Sequence, residues 1–241
     1  MSDDVIARFA TAIEPPTRVA FCEALPKTFF GTDENPGPTG QGEDSLAVDD
    51  IVGRLGTSTE LAAREAVANA LLDKGVRLAR SQRGEDANVA FDEIVVRFGT
   101  ATEPSVREVV AKALFNKGVT LRDLGRREGE VVVYDDVVAR FGTATEPAVR
   151  EVVAKALLNK GIALRQLGRI KGEIVTYDDL VGRVGTATEA PVREAVADAL
   201  VNKGVTHHEL GRGEDALAAF DDVVARFGTA TEPSLCEAVA I

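Results

Sequence analysis

His207 and His208 are the only histidines in the chain, and are the first place to look for metal or acid–base chemistry. Adjacent residues of a helix project about 100° apart. No cysteine or carboxylate motif brackets the pair, so it makes no zinc set, and surface helix positions are expected. The acidic pairs Asp135-Asp136, Asp178-Asp179 and Asp221-Asp222 offer oxygen ligands for a cation. Such neighbours diverge on a helix, however, and the second of each pair has an arginine one turn on, so ion pairing is the expected role. No glycine-rich phosphate loop, nucleophile elbow or histidine-containing triad occurs. The sequence therefore predicts no enzyme activity, no metal and no cofactor.

The elements that would position any site are set by a repeat. Arg-Phe-Gly-Thr-Ala-Thr-Glu-Pro begins at Arg97, Arg140 and Arg226, with variants at Arg54 and Arg183, all at spacings of 43 residues. A further copy opens at Arg8, 46 residues before Arg54. A fixed period of this length is the mark of a stacked array in which each unit contacts its neighbours.

One unit, Thr102 to Gly142, reads as two helices. Pro104 suits a first helical turn, and Val106, Val109, Val110, Ala113, Leu114, Leu121 and Leu124 recur at helical spacing. Gly125 is a candidate C-terminal cap. After a charged turn over Arg126 to Gly129, a second helix is predicted from Glu130 to Phe141, burying Val133, Tyr134, Val137 and Phe141. Acid-to-arginine pairs at i, i+4 recur on the second helices: Asp4–Arg8, Asp50–Arg54, Glu93–Arg97, Asp136–Arg140, Asp179–Arg183 and Asp222–Arg226. Gly75, Gly118, Gly161 and Gly204 fall inside the first helices, where glycine costs about 1 kcal/mol relative to alanine. A close approach by a neighbouring helix would explain the repeated cost.

In spacing and residue type these units resemble the tetratricopeptide repeats. Gly204, Gly211, Ala216 and Phe220 match that family's pattern of small residue, turn glycine, small residue and aromatic. Gly118, Gly125 and Tyr134 match in an earlier copy, as do Gly161, Gly168 and Tyr177, and Gly75, Ala87 and Phe91. Glu130 stands in place of a small residue and Gln82 in place of the turn glycine. The unit is nine residues longer than the family's, the excess lying at the start of the first helix.

The resemblance implies an all-α fold, a right-handed superhelical solenoid of antiparallel helix pairs, whose concave face is lined by first helices and binds a peptide or helix of a partner protein. It carries a peptide-binding role onto the asparagine column Asn116, Asn159 and Asn202, which follows Asp73 in register; the alternative is that each Asn bonds within its own repeat and the neighbouring lysines are solvated. Lys117, Lys160 and Lys203 come next in sequence. Phe115, Leu158 and Val201, then Val119, Ile162 and Val205, would line the same face, with charge further along at Arg122 and Arg165. Apolar residues where the family's carboxylate-clamping members need Lys and Asn argue against capture of a terminal carboxylate.

Composition narrows the partner. A net charge of −11 argues against nucleic acid and against an anionic membrane surface, and favours a basic partner. Few aromatics and much Ala and Val imply close helix interfaces. Cys22 and Cys236 are expected to be reduced thiols; with no signal-like start and no long apolar run, cytoplasmic location is the default expectation.

Three segments are predicted: a degenerate first repeat over 1–53, with a loop at 31–42; four regular repeats over 54–228; and an incomplete half-repeat over 229–241. The pattern is lost over 26–41, which reads as a tolerated insertion, a functional loop or a scar in the coding sequence. Incomplete units at both ends raise an alternative function, a structural protein that self-associates end to end.

Overall fold

The computed structural model describes Asp49, residues 51–55, Thr57 and residues 60–240. The degenerate first repeat, its loop at 31–42 and the pairs Asp4–Arg8 and Asp50–Arg54 lie wholly or partly outside these residues. Within them the chain is all-α: α1 (Leu61–Arg80), α2 (Gly84–Phe98), α3 (Pro104–Asp123), α4 (Arg127–Phe141), α5 (Pro147–Gln166), α6 (Ile170–Val184), α7 (Ala190–Glu209), α8 (Gly213–Phe227) and α9 (Pro233–Ala240). No described helix is long and apolar enough to cross a membrane.

The described residues form two compact units, up to Ala156 and from Leu157 onward, the division falling within α5. In the first, α1 packs on α2, α2 on α3, α3 on α4, and α1 on α3. In the second, α6 packs on α7, α7 on α8, and α9 on both α7 and α8. The first helices α1, α3 and α7 thus each touch their own partner and the adjoining repeat.

The buried stripes agree with the helical spacing. Val106, Val109, Val110, Ala113, Leu114 and Leu121 are buried on α3, and Val133, Tyr134, Val137 and Phe141 on α4. Leu124 departs from the expectation, at 39% exposed, because it caps α3 one residue beyond the last helical turn. The second helix also begins earlier than predicted, at Arg127 rather than Glu130. Its acidic first-turn residues Glu128 and Glu130 suit the positive end of a helix dipole.

The glycine column has the reason that its recurrence demanded. A Cβ at Gly118 would lie 2.6 Å from Tyr134 Cζ, and one at Gly161 2.6 Å from Tyr177 Cζ. Gly75 meets the ring of Phe91 and Gly204 that of Phe220 in the same way. In each of these repeats an aromatic of the second helix lies against the first helix, where no side chain fits.

Turn glycines end the first helices by a left-handed cap. Gly125 has φ +74°, Gly168 +72° and Gly211 +70°, and the amide of Arg126 donates to the Leu121 carbonyl at 2.8 Å, the closing bond of a Schellman motif. Gln82 holds the same place with φ 60°, and the amide of Arg83 still bonds the Leu78 carbonyl at 2.9 Å. A non-glycine residue is strained there by about 1–2 kcal/mol, partly offset by glycine's greater unfolded-state entropy. Gln82→Gly should therefore stabilise the chain by about 1 kcal/mol in urea denaturation.

Candidate functional site

The residues implied by the resemblance divide sharply by accessibility. Phe115, Leu158, Val119 and Ile162 are buried, as are Asn116 and Asn159, with 5% and 3% exposed. Lys117, Lys160, Lys203, Asn202, Arg122 and Arg165 remain partly accessible. Lys117 pairs with Asp92 on the preceding second helix, and Lys203 with Asp178 in the same register. Arg122 lies 3.4 Å from Asp123. Asn202 differs from its fellows, because its buried Nδ2 has no hydrogen-bond partner.

The accessible stripe of the first helices also carries an alternating set of charges. Lys112 Nζ donates to Glu108 at 2.6 Å, and Lys155 Nζ to Glu151 at 2.7 Å. On α7 the same register holds Glu194 and Asp198, two like charges one turn apart. Burial, helped by Glu194, pushes the Asp198 carboxyl up to about 7.

Sequence reasoning missed the device that the nine extra residues build. Glu146 Oε2 accepts from the Thr145 amide at 3.0 Å, and its Oε1 accepts from Arg107 Nε at 3.2 Å in the preceding first helix. Arg107 in turn sits 5.5 Å over the Phe141 ring, in the range of a cation–π contact. Glu103 with Arg64 and Phe98, and Glu232 with Arg193 and Phe227, repeat the arrangement. Hydrogen bonds from backbone amides, with the paired arginine, hold these three glutamates below the usual carboxylate range.

The arginine of the signature reaches back as well. Arg226 Nη1 donates to the Gly185 carbonyl at 3.0 Å, while its Nε bonds Asp222 at 2.6 Å. The pairs Glu93–Arg97, Asp136–Arg140 and Asp179–Arg183 also form, at 2.6–2.7 Å. The recurring Arg-Phe-Gly-Thr-Ala-Thr-Glu phrase is therefore a coupling between successive repeats. Its signal was in the sequence, since the Arg of each Val-Arg-Glu triplet recurs in step with the Glu.

Two carboxylates are buried where the other repeats have Ala87 and Ala216. Glu173 is fully buried: its Oε1 accepts from Thr206 Oγ1 at 2.8 Å and Arg165 Nη1 at 3.3 Å, while Oε2 has no partner. Arg165 also contacts Thr206 Oγ1 and pairs with Glu209. Desolvation raises the Glu173 pKa.

Glu130, 1% exposed, pairs with Arg127 at 3.0 Å, and desolvation pushes it up to about 7. A carboxyl raised in the folded state stabilises fully below its unfolded pKa, near 4.5, and this stability is lost as pH rises through 7. Stability should thus fall by about 2 kcal/mol between pH 5 and pH 8 from Glu130. Glu130→Gln should remove that part of the slope in urea titrations at the two pH values.

His207 corrects the expectation of a surface site. It is buried, with its Nδ1 3.5 Å from the Asp215 carboxylate. Its register is that of Leu78, Leu121 and Leu164, so it fills a core position that the ring is large enough to occupy. His208 is partly accessible. Comparison with models of known protein families finds no match for this chain, and comparison with curated proteins finds none.

Proposed function

We propose that the chain is a non-enzymatic scaffold of tetratricopeptide-like form, a right-handed superhelix whose concave first-helix face binds an extended segment of a partner protein. The observation that carries this reading is the register of partly accessible residues on the first helices, Lys117, Lys160, Asn202 and Lys203, which the resemblance places on the binding face. Asn116 and Asn159 are buried, whereas the Asn202 side chain is partly accessible to a bound segment.

The spacing supports the same reading. Packed helices lie about 8–10 Å apart, and an extended chain advances about 3.3 Å per residue. A bound segment would therefore meet one first helix every three residues or so. Selection of peptides from a random display library on the full chain tests this. Peptides so captured should bind Asn202→Ala about 3–10-fold more weakly, as expected for one hydrogen bond, with unchanged helical circular dichroism. Equal binding to the variant, or no enrichment at all, would overturn the reading.

A further inference from the structure

Arg165 is one guanidinium held by carboxylates on two different helices. From α5 its Nη1 lies 3.3 Å from Glu173 Oε1 on α6, and its Nη2 pairs with Glu209 on α7. Thr206 of α7 completes the cluster, donating its hydroxyl to Glu173 Oε1 at 2.8 Å while its oxygen also lies against Arg165 Nη1. Exposure is opposed across the cluster: Glu173 is fully buried, whereas Arg165 and Glu209 reach solvent. The two oxygens of Glu173 are unequal. Oε1 takes both donors, and Oε2 is buried with no hydrogen-bond partner among the described residues. A buried charge short of donors is costly, and a proton on the bare oxygen removes the charge. Oε1 then belongs to a neutral acid, which still accepts from Thr206 but no longer offers Arg165 an ion pair.

We infer that Glu173 is a proton-operated junction between helices: ionised, it holds Arg165 between α6 and α7, and protonated on Oε2 it yields Arg165 to Glu209. Desolvation raises the Glu173 carboxyl above its ordinary 4.5, so the exchange takes place above that pH. The neighbouring charged and titratable groups have contacts of their own. Lys203 of α7 pairs with Asp178, His207 lies 3.5 Å from Asp215, and the Tyr177 ring of α6 lies against Gly161. Arg169 contributes its carbonyl, which accepts from the Glu173 amide at 3.0 Å. Arg165 and Glu209 are the charges that act on Glu173. The sibling carboxylate is built differently. Glu130 pairs at 3.0 Å with Arg127 of its own helix, a bond that carries no coupling between helices.

The test follows the Arg165 side-chain Nε–H resonance of the isotope-labelled full chain from about pH 7 to about pH 4, assigned by its loss in Arg165→Lys. The resonance should shift in a step with its midpoint above 4.5, while helical circular dichroism stays constant. Glu173→Gln carries the neutral form at every pH, so Arg165 should keep its acid-end position throughout and the step should vanish. Glu173→Ala restores the residue found at Ala87 and Ala216, which preserves the fold, and it should lose the step as well. Glu209→Gln removes the receiving carboxylate; it should keep the step and move its acid end toward the position of a solvated arginine. An Arg165 resonance that does not move would overturn the junction, as would the same step in Glu173→Gln or Glu173→Ala. A step accompanied by loss of helix would report unfolding and overturn it too.

Discussion

Replacing Gly118 with alanine should destabilise the chain by about 2 kcal/mol. The new methyl would lie 2.6 Å from Tyr134 Cζ, and Tyr134 is fully buried, so the ring has nowhere to go without moving α4. Overpacking of this kind costs about 1–3 kcal/mol and occasionally more. The gain in helix propensity, about 1 kcal/mol, offsets part of it. Gly182→Ala is the matching control, because that glycine lies in α6, is exposed and has no atom beyond its own stretch of helix backbone and chain neighbours within 4 Å of where a methyl would be added. There only the propensity gain remains, so the same substitution should stabilise by about 0.5–1 kcal/mol. Urea denaturation of both variants reads the two signs directly. A neutral or stabilising result at Gly118 would mean that the close approach is not what selects glycine.

Removing Arg165 should cost about 3 kcal/mol at pH 8. Arg165→Ala strips Glu173 of its one cationic partner among the described residues, leaving a buried carboxylate that still accepts from Thr206. Breaking one partner of a buried pair usually costs about 3–5 kcal/mol; the lower end fits here, because Arg165 is partly exposed and Thr206 still donates. The double variant Arg165→Ala with Glu173→Ala should recover most of the loss, since Ala87 and Ala216 occupy the equivalent position elsewhere.

The pH dependence gives a further check. Glu173 has its folded pKa raised, so the ionised form is the disfavoured one, and the penalty applies above that value. As pH falls toward 4.5 the buried carboxyl takes up a proton in the folded state, and the deficit of Arg165→Ala should shrink. The glutamates at the repeat junctions work in the opposite sense. Glu103, Glu146 and Glu232 have lowered pKa values, so their stabilisation is present above 4.5 and is lost as pH falls below it. Together with Glu130, these shifts place maximum stability near about pH 5.

The helix pair was legible in the sequence because glycine, proline and apolar spacing act locally. Gly118 against Tyr134 needed only a period and a cost without visible return. What acts between repeats was harder to read. Arg107 and Glu146 are 39 residues apart, and each looks like an ordinary surface charge until the preceding helix is placed beside it. The apolar columns Phe115, Leu158, Val119 and Ile162 have a spacing consistent with a groove, but that spacing does not tell a lining residue from one buried against a neighbouring helix. His207 reads as exposed in the sequence because histidine usually is; its register with Leu78, Leu121 and Leu164 is the signal to the contrary. Asn202 stands apart from its column only when the hydrogen bonds of each copy are compared, whereas the change from Lys112 and Lys155 to Asp198 is visible in the sequence itself.

The direct test of the scaffold is to map where a display-selected peptide contacts the full chain, by backbone amide chemical-shift changes. Changes are expected along the accessible stripes of α3, α5 and α7, centred on Lys112, Lys155, Asp198 and Asn202, with none at the exposed Val89, Val132 and Val175 of the second helices. Changes confined to those valines would contradict a binding face on the first helices.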